Sequence, residues 1–345
     1  MTVTIKDVAR EAGVSPSTVS RVISGNSRIS EETKRRVRKV MEEMGYHPNM
    51  NARSLVVKST ETIGLIMPRS AENTFVNPFF PEVLRGIGAA AQERGYSLLL
   101  STGRDDEEKK ETVVKMVQGK QVDGVILLNS RIRDPILAYL KKQRFPFVMV
   151  GRPLEKNITY VDNDNIISAK KATRYLIEMG HRSIAFVGGN PEYTVTHDRL
   201  EGYKEALKEA GLPYHPSQVL SGDFLEEGAY EAVRALLSLG QRPTAFLVTD
   251  DLMALGVISA LKEMGLNVPE DVSIVSFNNV FLARLSSPPL TTVDIEIFQL
   301  GYQAVQKLFE RIHYPEIASS HTLIKTRLVE RQSVRRLEMA KEEKI

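Results

Sequence analysis

In the first 45 residues apolar positions recur three and four apart, the period of a half-buried helix. Ile5, Val8, Ala9 and Ala12 predict one helix, with Thr4 and Asp7 as a capping pair and Gly13 as its stop. Val19, Val22 and Ile23 predict a second, capped by Ser15 and opened by Pro16, whose missing N–H costs nothing in a first turn. Ser30 caps a third, with Val37, Val40, Met41 and Met44 inward and an end near Gly45. The turn between the first two is about three residues long, the spacing of a helix-turn-helix unit. From Ile63 the pattern changes. Short apolar runs, "TIGLIM", "SLLLST", "GVILLN", "FVMVG", "SIAFVGG", "TAFLVTD" and "VSIVSF", alternate with amphipathic stretches such as "PEVLRGIGAAAQERG" and "RLEGYKEALKEAG". That alternation predicts βαβ units and parallel sheets. A faint echo between "LIM…RGIGAAAQERGYSLLL" and "AFVGG…EGYKEALKEAGLPYHPSQVL" predicts two similar α/β halves, split near residue 160.

The second predicted helix has an unusual outer face. Ser17, Thr18, Ser20 and Arg21 point away from its apolar side, whereas a merely solvated helix favours Glu, Lys and Gln. Short hydroxyl side chains allow close approach and can donate to or accept from base edges and phosphates. Charge points the same way. Residues 1–58 carry 11 Lys and Arg against 6 Asp and Glu, while the rest carries 35 against 37. The chain's positive excess therefore sits in the head, as expected of a segment that meets a polyanion. "KRRVRKVMEE" taken singly is also the alternation of an ordinary solvated helix face. The 345 residues contain no cysteine, which excludes disulfides, a thiol nucleophile and thiolate metal sites. "MTVTIKDVAREAG" carries charges where a signal peptide needs an apolar run, and no stretch approaches 18 uncharged apolar residues. The expectation is a cytoplasmic, nucleoid-associated protein without a membrane segment.

"TIKDVAREAGVSPSTVSRVISG" followed by "ISEETKRRVRKVMEEMGYHPNMNARSL" resembles the head of the lactose-repressor (LacI/GalR) family of bacterial transcription regulators, and the likeness extends over the whole chain. The resemblance implies a small all-α helix-turn-helix DNA-binding head joined to an α/β bilobed, periplasmic-binding-protein-like effector domain of two parallel-sheet, Rossmann-like lobes. It implies a second helix lying in the DNA major groove. The segment "PNMNARSL" would form a hinge helix on operator DNA, paired in a dimer, with Leu55 wedging a base step in the minor groove and Ala52 as its small neighbour. Thirteen residues are too few to hold a helix alone, and Leu55-Val56-Val57 would be unusually apolar for an idle linker, though a linker docked on the body has the same composition. The implied boundaries are 1–47 for the head, 48–60 for the hinge, 61–160 for a first lobe with a crossover from 292–320, 161–291 for a second lobe, and 321–345 for a C-terminal strand and tail. The implied DNA-facing residues are Thr4, Ser15, Pro16, Ser17, Thr18, Ser20, Arg21, Asn26, Arg28, Asn49, Ala52, Arg53 and Leu55.

In parallel sheets ligands sit beyond the carboxyl ends of the strands, and between two lobes that place is a cleft. The candidates are Arg69, Ser70, Phe79, Thr102, Asn129 and Arg152 from the first half, with Asp162, Asp164, Tyr193, Arg199, Phe224, Asp250 and Asn278 from the second. Carboxylates, amides and arginines suit paired hydroxyls, and aromatic faces suit the apolar side of a sugar ring. The family resemblance gives Arg199, Phe224, Asp250 and Asn278 effector-contacting roles, although many members carry Asp where Asn278 stands. Taken singly, Phe79 also fits a core position, Asp250 a helix cap and Arg152 an interlobe ion pair. "NPFFPEVLRGI", "TYVDNDN" and "NPEYTVTHDRLEGY" resemble the maltose-operon repressors of low-GC Gram-positive bacteria, which implies maltose or a related α-glucoside as effector.

An enzyme would need a constellation that the chain lacks. "GIGAAA" at 86–91 fits G-x-G-x-x-A but falls inside a predicted helix, away from a strand-to-helix turn. The six histidines show no metal spacing, and Asp162/Asp164 and Asp250/Asp251 read more simply as grips for hydroxyls than as acid–base pairs. No cofactor or metal is expected. A secreted sugar binder would lack the basic head. The expected protein is a homodimeric repressor of a carbohydrate-utilisation operon, released from a pseudo-palindromic double-stranded operator by a sugar. A corepressor, small molecule or phosphoprotein, that tightens DNA binding is the alternative. The short tail without clear leucine heptads favours a dimer over a tetramer.

Overall fold

The computed structural model describes residues 3–46, 59–68 and 74–338. The head is three helices, α1 (Ile5–Glu11), α2 (Pro16–Ile23) and α3 (Glu31–Glu43), around a small core of Val8, Ala9, Ala12, Val19, Val22, Val37 and Val40. The caps are those the sequence predicts. Ser15 and Ser30 accept from the backbone N–H of Thr18 and Thr33, and the Asp7 carboxylate accepts from the Thr4 N–H at 3.0 Å. Gly13 takes φ +64° between α1 and α2, a left-handed turn that a side chain resists.

The body is two six-stranded sheets of matching order. The first lobe contains β1 (Thr62–Ile66), β2 (Ser97–Ser101), β3 (Gly124–Leu127), β4 (Phe147–Val150), β5 (Tyr160–Asn163) and β11 (His321–Ile324), ordered β11-β5-β4-β3-β1-β2. The second contains β6 (Ile184–Gly188), β7 (Val219–Ser221), β8 (Ala245–Val248), β9 (Ser273–Asn278), β10 (Thr291–Asp294) and β12 (Arg327–Val329), ordered β12-β10-β9-β8-β6-β7. All pairings are parallel except β10 with β12. Helices α4 (Phe79–Gln92), α5 (Asp106–Gln118) and α6 (Pro135–Gln143) connect the first sheet. Those of the second are α8 (Thr194–Glu209), α9 (Glu226–Ser238), α10 (Asp251–Glu263) and the short α11 (Phe281–Leu285). The chain passes between lobes three times, and the first two passages lead into α7 (Asn165–Glu178) and α12 (Ile297–His313).

These passages correct the expected boundaries. β5 belongs to the first sheet, so the first passage lies after Asn163 and not at 160. Residues 292–294 are part of β10 in the second sheet, and the crossover starts only after them. The segment from 321 is not one strand with a tail, because β11 joins the first sheet and β12 the second. β5, β10 and the final strands carry polar residues among their apolar ones (Asp162 and Asn163; Thr291, Thr292 and Asp294; His321 and Thr322; Arg327), which hides the apolar run that marks a strand elsewhere.

The echo between the halves has a structural counterpart. α4 of the first lobe packs against α12, which arrives from the second, and α8 of the second packs against α7, which arrives from the first. A Cβ on Gly86 would lie 2.1 Å from the Phe298 carbonyl oxygen, and one on Gly202 would lie 2.1 Å from that of Ile166. The glycine shared by "RGIGAAA" and "EGYKEAL" is thus a point of close helix approach in each lobe, which explains Gly86 in the G-x-G-x-x-A spelling without a nucleotide. Gly88, two residues on, faces open space. Gly86→Ala should therefore cost about 1–3 kcal/mol by overpacking, whereas Gly88→Ala should be neutral or gain up to about 1 kcal/mol of helix propensity. Urea unfolding of the two variants checks the contrast, and equal effects would contradict the packing argument.

Candidate functional site

In the head, the hydroxyls gather at the start of α2. Ser15 Oγ lies 2.8 Å from Ser17 Oγ and 2.9 Å from Thr18 Oγ1. Ser15, Pro16, Ser17 and Arg21 are exposed, with Thr18 and Ser20 partly so. Arg21 and Arg28 are exposed and form no ion pair among the described residues. A helix N-terminus with free N–H groups, hydroxyls and a nearby cation suits an anionic partner. Two predicted residues have local duties as well. The Thr4 hydroxyl donates to Asp7 at 2.6 Å, and the Asn26 side chain accepts from the Arg28 N–H at 2.9 Å, a turn within the loop. Asn49, Ala52, Arg53 and Leu55 lie outside the described residues.

Where the chain enters the body it is fastened to a single carboxylate. Asp123, just before β3, accepts from Ser59 Oγ, the Thr60 N–H, Thr60 Oγ1 and the Glu61 N–H at 2.5–3.0 Å. Sequence reasoning missed this clamp, because an Asp before a strand gives no sign of a partner some sixty residues earlier.

Between the lobes lies a cleft enclosing about 870 Å³, its open mouth included. Of the thirteen expected residues it brings together eight: Phe79, Asn129, Asp162, Tyr193, Arg199, Phe224, Asp250 and Asn278. Most stand at strand ends or helix starts, as the fold requires. Three expected residues do not line it. Arg152 instead grips Asp198 of α8 across the lobes, at 2.9 Å and 2.5 Å. Asp164 caps α7, accepting from the Ile167 N–H at 2.9 Å. Thr102 follows β2 near the sheet edge and is half-buried away from the cleft. Arg69 and Ser70 lie outside the described residues.

Arg199 organises the cleft. It is 4% exposed, lies 4.2 Å over the Phe277 ring, and donates to Asn165 Oδ1 at 2.9 Å and to the Thr249 carbonyl at 2.6 Å. Burial pushes its pKa down to about 10 against the pull of Asp162, Asp250, Asp251 and Asp198, so it stays protonated at neutral pH. Asp162 accepts from Asn165 Nδ2 at 3.0 Å and from the Arg152 N–H at 2.8 Å, and burial pushes it up to about 6. Asp250 is also raised by burial. One oxygen caps α10 through the Leu252 N–H, and the other accepts from Asn278 at 2.8 Å and from Asn77 of the first lobe at 3.0 Å. Asp251 faces the other way. It holds Ser276, Thr292 and the Val280 N–H inside the second lobe, with burial raising its pKa to about 7. Each carboxylate pair of the sequence thus contains a structural member, Asp164 or Asp251, and neither forms a two-carboxylate site.

The aromatic wall is built with backbone strain. Asp223 and Phe224 both take left-handed φ, +53° and +55°, and the Phe224 ring lies where a Cβ on Gly189 would sit, 2.0 Å away. Tyr193 stands 6.0 Å from it, ring to ring. On the far side the lobes are joined by backbone hydrogen bonds, Ile132 N–H to the Glu192 carbonyl and Thr194 N–H to that of Ser130, beside the Arg131–Glu192 ion pair. Sequence reasoning missed Asn77, Asn165 and Thr249. Asn77-Pro78 before a helix is a turn-and-cap signal, and Thr249 adjoins Asp250, so both were within reach of a strand-end reading.

Among the described residues no group of His, Asp or Glu is placed to hold a metal ion, and no helix is long and apolar enough to cross a membrane. A helix-turn-helix head on a two-lobed, cleft-bearing body is the architecture of a DNA-binding regulator. The comparisons agree. Residues 4–49 match the model of bacterial regulatory proteins of the lacI family, and residues 173–334 that of the periplasmic binding protein-like domain. The chain is 42% identical over 317 residues to the HTH-type transcriptional regulator MalR of Streptococcus pneumoniae, covering 91% of this chain and 94% of that one. Its fold is similar to the complex of transcriptional regulator CelR with cellobiose (TM-score 0.76, 35% identity, 96% of this chain and 99% of that one). It is also similar to the lac repressor dimer bound to operator and the anti-inducer ONPF (TM-score 0.85, 26% identity, 97% and 100%). The chain belongs to the lacI family of bacterial regulatory proteins. It is a DNA-binding transcription regulator and not an enzyme.

Arg199→Met keeps the packing on Phe277 but leaves Asp162 and Asp250 without their buried cation. It should cost about 3–5 kcal/mol at pH 8. A carboxyl whose folded pKa is raised contributes stability fully below its unfolded value, lost as pH rises through the folded one. The deficit should therefore shrink at pH 5, below the upshifted range of Asp162. Thermal unfolding at the two pH values checks this, and a deficit independent of pH would contradict it.

Proposed function

We propose that this protein is a repressor of a carbohydrate-utilisation operon, acting in the cytoplasm as a homodimer on a pseudo-palindromic operator and released by a sugar, an α-glucoside such as maltose. The observation that carries the reading is the cleft. Arg199, Asn165, Asp162 and Asp250 present fixed donors and acceptors, and Phe79, Tyr193 and Phe224 present apolar faces. That combination suits a polyhydroxylated ring. The CelR structure carries a disaccharide, which supports a ligand of this size and class. Maltose is favoured by the segments at 77–87, 159–165 and 190–203, which resemble maltose-operon repressors, and by the similarity to MalR.

In this reading the start of α2 enters the major groove, with Ser15, Pro16, Ser17, Thr18, Ser20, Arg21, Asn26 and Arg28 on the DNA side and Thr4 at the backbone. Asn49, Ala52, Arg53 and Leu55 form the minor-groove hinge. The sugar binds the lobe arrangement that holds the two hinges of a dimer apart, and it needs no contact with DNA to release it. Lobe movement reaches the hinge through Asp123, which fastens residues 59–61 to the start of β3. The far end of β3 leads to Asn129 and Ser130 at the cleft. An operator gel shift across maltose, isomaltose, trehalose, cellobiose and glucose tests the proposal. Release by an α-glucoside supports it, and DNA binding indifferent to every sugar sinks it.

The head makes its own prediction. Arg21→Ala should weaken operator binding by about 1–3 kcal/mol if the guanidinium meets a base, or reduce the salt slope by about 1 if it meets a phosphate. Binding titrations at several salt concentrations distinguish the two, and an unchanged affinity with an unchanged slope would remove Arg21 from the interface.

A further inference from the structure

Thr249 follows the last residue of β8 and precedes the cap of α10, at the carboxyl end of a central strand. It is 1% exposed and lines the cleft. Its backbone is fully used, the N–H donating to the Val187 carbonyl at 2.9 Å and its own carbonyl accepting from Arg199 Nη1 at 2.6 Å. Its hydroxyl has no hydrogen-bond partner among the described residues.

Among the buried side-chain groups of the described residues that lack a partner, which include the Thr196 hydroxyl on α8, only that of Thr249 belongs to a residue lining the cleft. Asp250, Asn278, Asn77, Asn165 and Asp162 are all joined in hydrogen bonds. A buried hydroxyl without a partner costs free energy that an isosteric valine would avoid, and such groups in native structures call for an explanation. Arg199 supplies the context. Its Nε and Nη1 are committed to Asn165 and to the Thr249 carbonyl, while its Nη2 makes no hydrogen bond to protein among the described residues. The bond to the Thr249 carbonyl sets the guanidinium and the threonine side by side. Two unspent polar groups, one a pure donor and one able to donate or accept, therefore belong to adjoining residues of the cleft, where the partly buried Asn129 amide also makes no hydrogen bond to protein among the described residues.

We infer that the Thr249 hydroxyl is a specificity-determining contact for a single effector hydroxyl, next to the oxygen that Arg199 binds. The inference rests on the reading of the cleft as a sugar site and adds to it a residue and a selection rule. Ligands with a hydroxyl at that place satisfy the threonine, and ligands without it leave the hydroxyl buried and unpaired. Discrimination by a polar group that only the right ligand satisfies is stronger than discrimination by fit.

The test is calorimetric titration of the full-length protein, Thr249→Val and Thr249→Ser with the five sugars named above and with the monodeoxy analogues of the tightest binder. Thr249→Val should bind that sugar about tenfold more weakly, and Thr249→Ser within about twofold of the parent. The ligand-free Thr249→Val protein should melt at or above the parent temperature, because it loses an unpaired polar group. One monodeoxy analogue should bind parent and Thr249→Val alike, and it identifies the hydroxyl. Equal affinity of parent and Thr249→Val for every sugar overturns the inference and leaves the sugar reading standing. So does lost affinity accompanied by a lower ligand-free melting temperature, which would make the hydroxyl a structural one. A parent that binds no sugar overturns both.

Discussion

Arg199 is a cation held almost out of water, and much of the body is arranged around that fact. A buried charge is tolerable only when partners meet it. Here Asp162 comes from the first sheet, while Asp198, Asp250 and Asn165 come from the second lobe or the passage into it. The partners therefore bring together the start of α7, the middle of α8 and the junction of β8 with α10. Because Asp162 is reached only where the chain passes between lobes, the same electrostatic requirement sets the floor of the cleft. Burial pushes the arginine down and the carboxylates up; the carboxylates oppose it on Arg199, while hydrogen bonds first and Arg199 second oppose it on Asp162 and Asp250. A ligand that offers hydroxyls adds partners to charges that lack water.

The lobes meet at the rim as well as the floor. Asn77 reaches Asp250, Arg152 reaches Asp198, and residues 130–132 exchange backbone hydrogen bonds with 192–194. These polar bridges, together with a buried apolar cluster that runs from Val150 and Val161 of the first sheet to Phe186 and Phe277 of the second, join two lobes that each keep a further apolar core of their own. That is the setting in which a ligand of modest affinity can change their relative population, a coupling of about 1–3 kcal/mol being typical. Asp123 then matters for its position. Four donors on residues 59–61 converge on it, which ties the segment that enters the first lobe to the start of β3.

The architecture was legible wherever burial alone shaped the residues. Seven apolar runs became strands, and the caps Ser15 and Ser30 stand where the helical period puts them. Legibility failed where polar duty replaced hydrophobicity. β5 reads Tyr-Val-Asp-Asn because Asp162 and Asn163 work beside the cleft, so the lobe boundary fell three residues short. In the site, strand ends identified eight lining residues but also drew in Thr102 and Asp164, since position along a strand does not say which way a side chain turns. Arg152 was reachable as an interlobe ion pair, but its partner Asp198 lies on a distant helix. Asn77 was hidden for a similar reason, because its contact with Asp250 joins residues 173 positions apart.

Coupling between cleft and head is the central claim, and thermodynamic linkage makes it measurable from either side. The most direct measurement is calorimetric titration of maltose into the protein with and without a saturating operator duplex. The account predicts that operator weakens maltose binding by the same factor, about 5- to 150-fold, by which maltose weakens operator binding. Maltose affinity unchanged by operator would contradict it, and affinity raised by operator would make the sugar a corepressor.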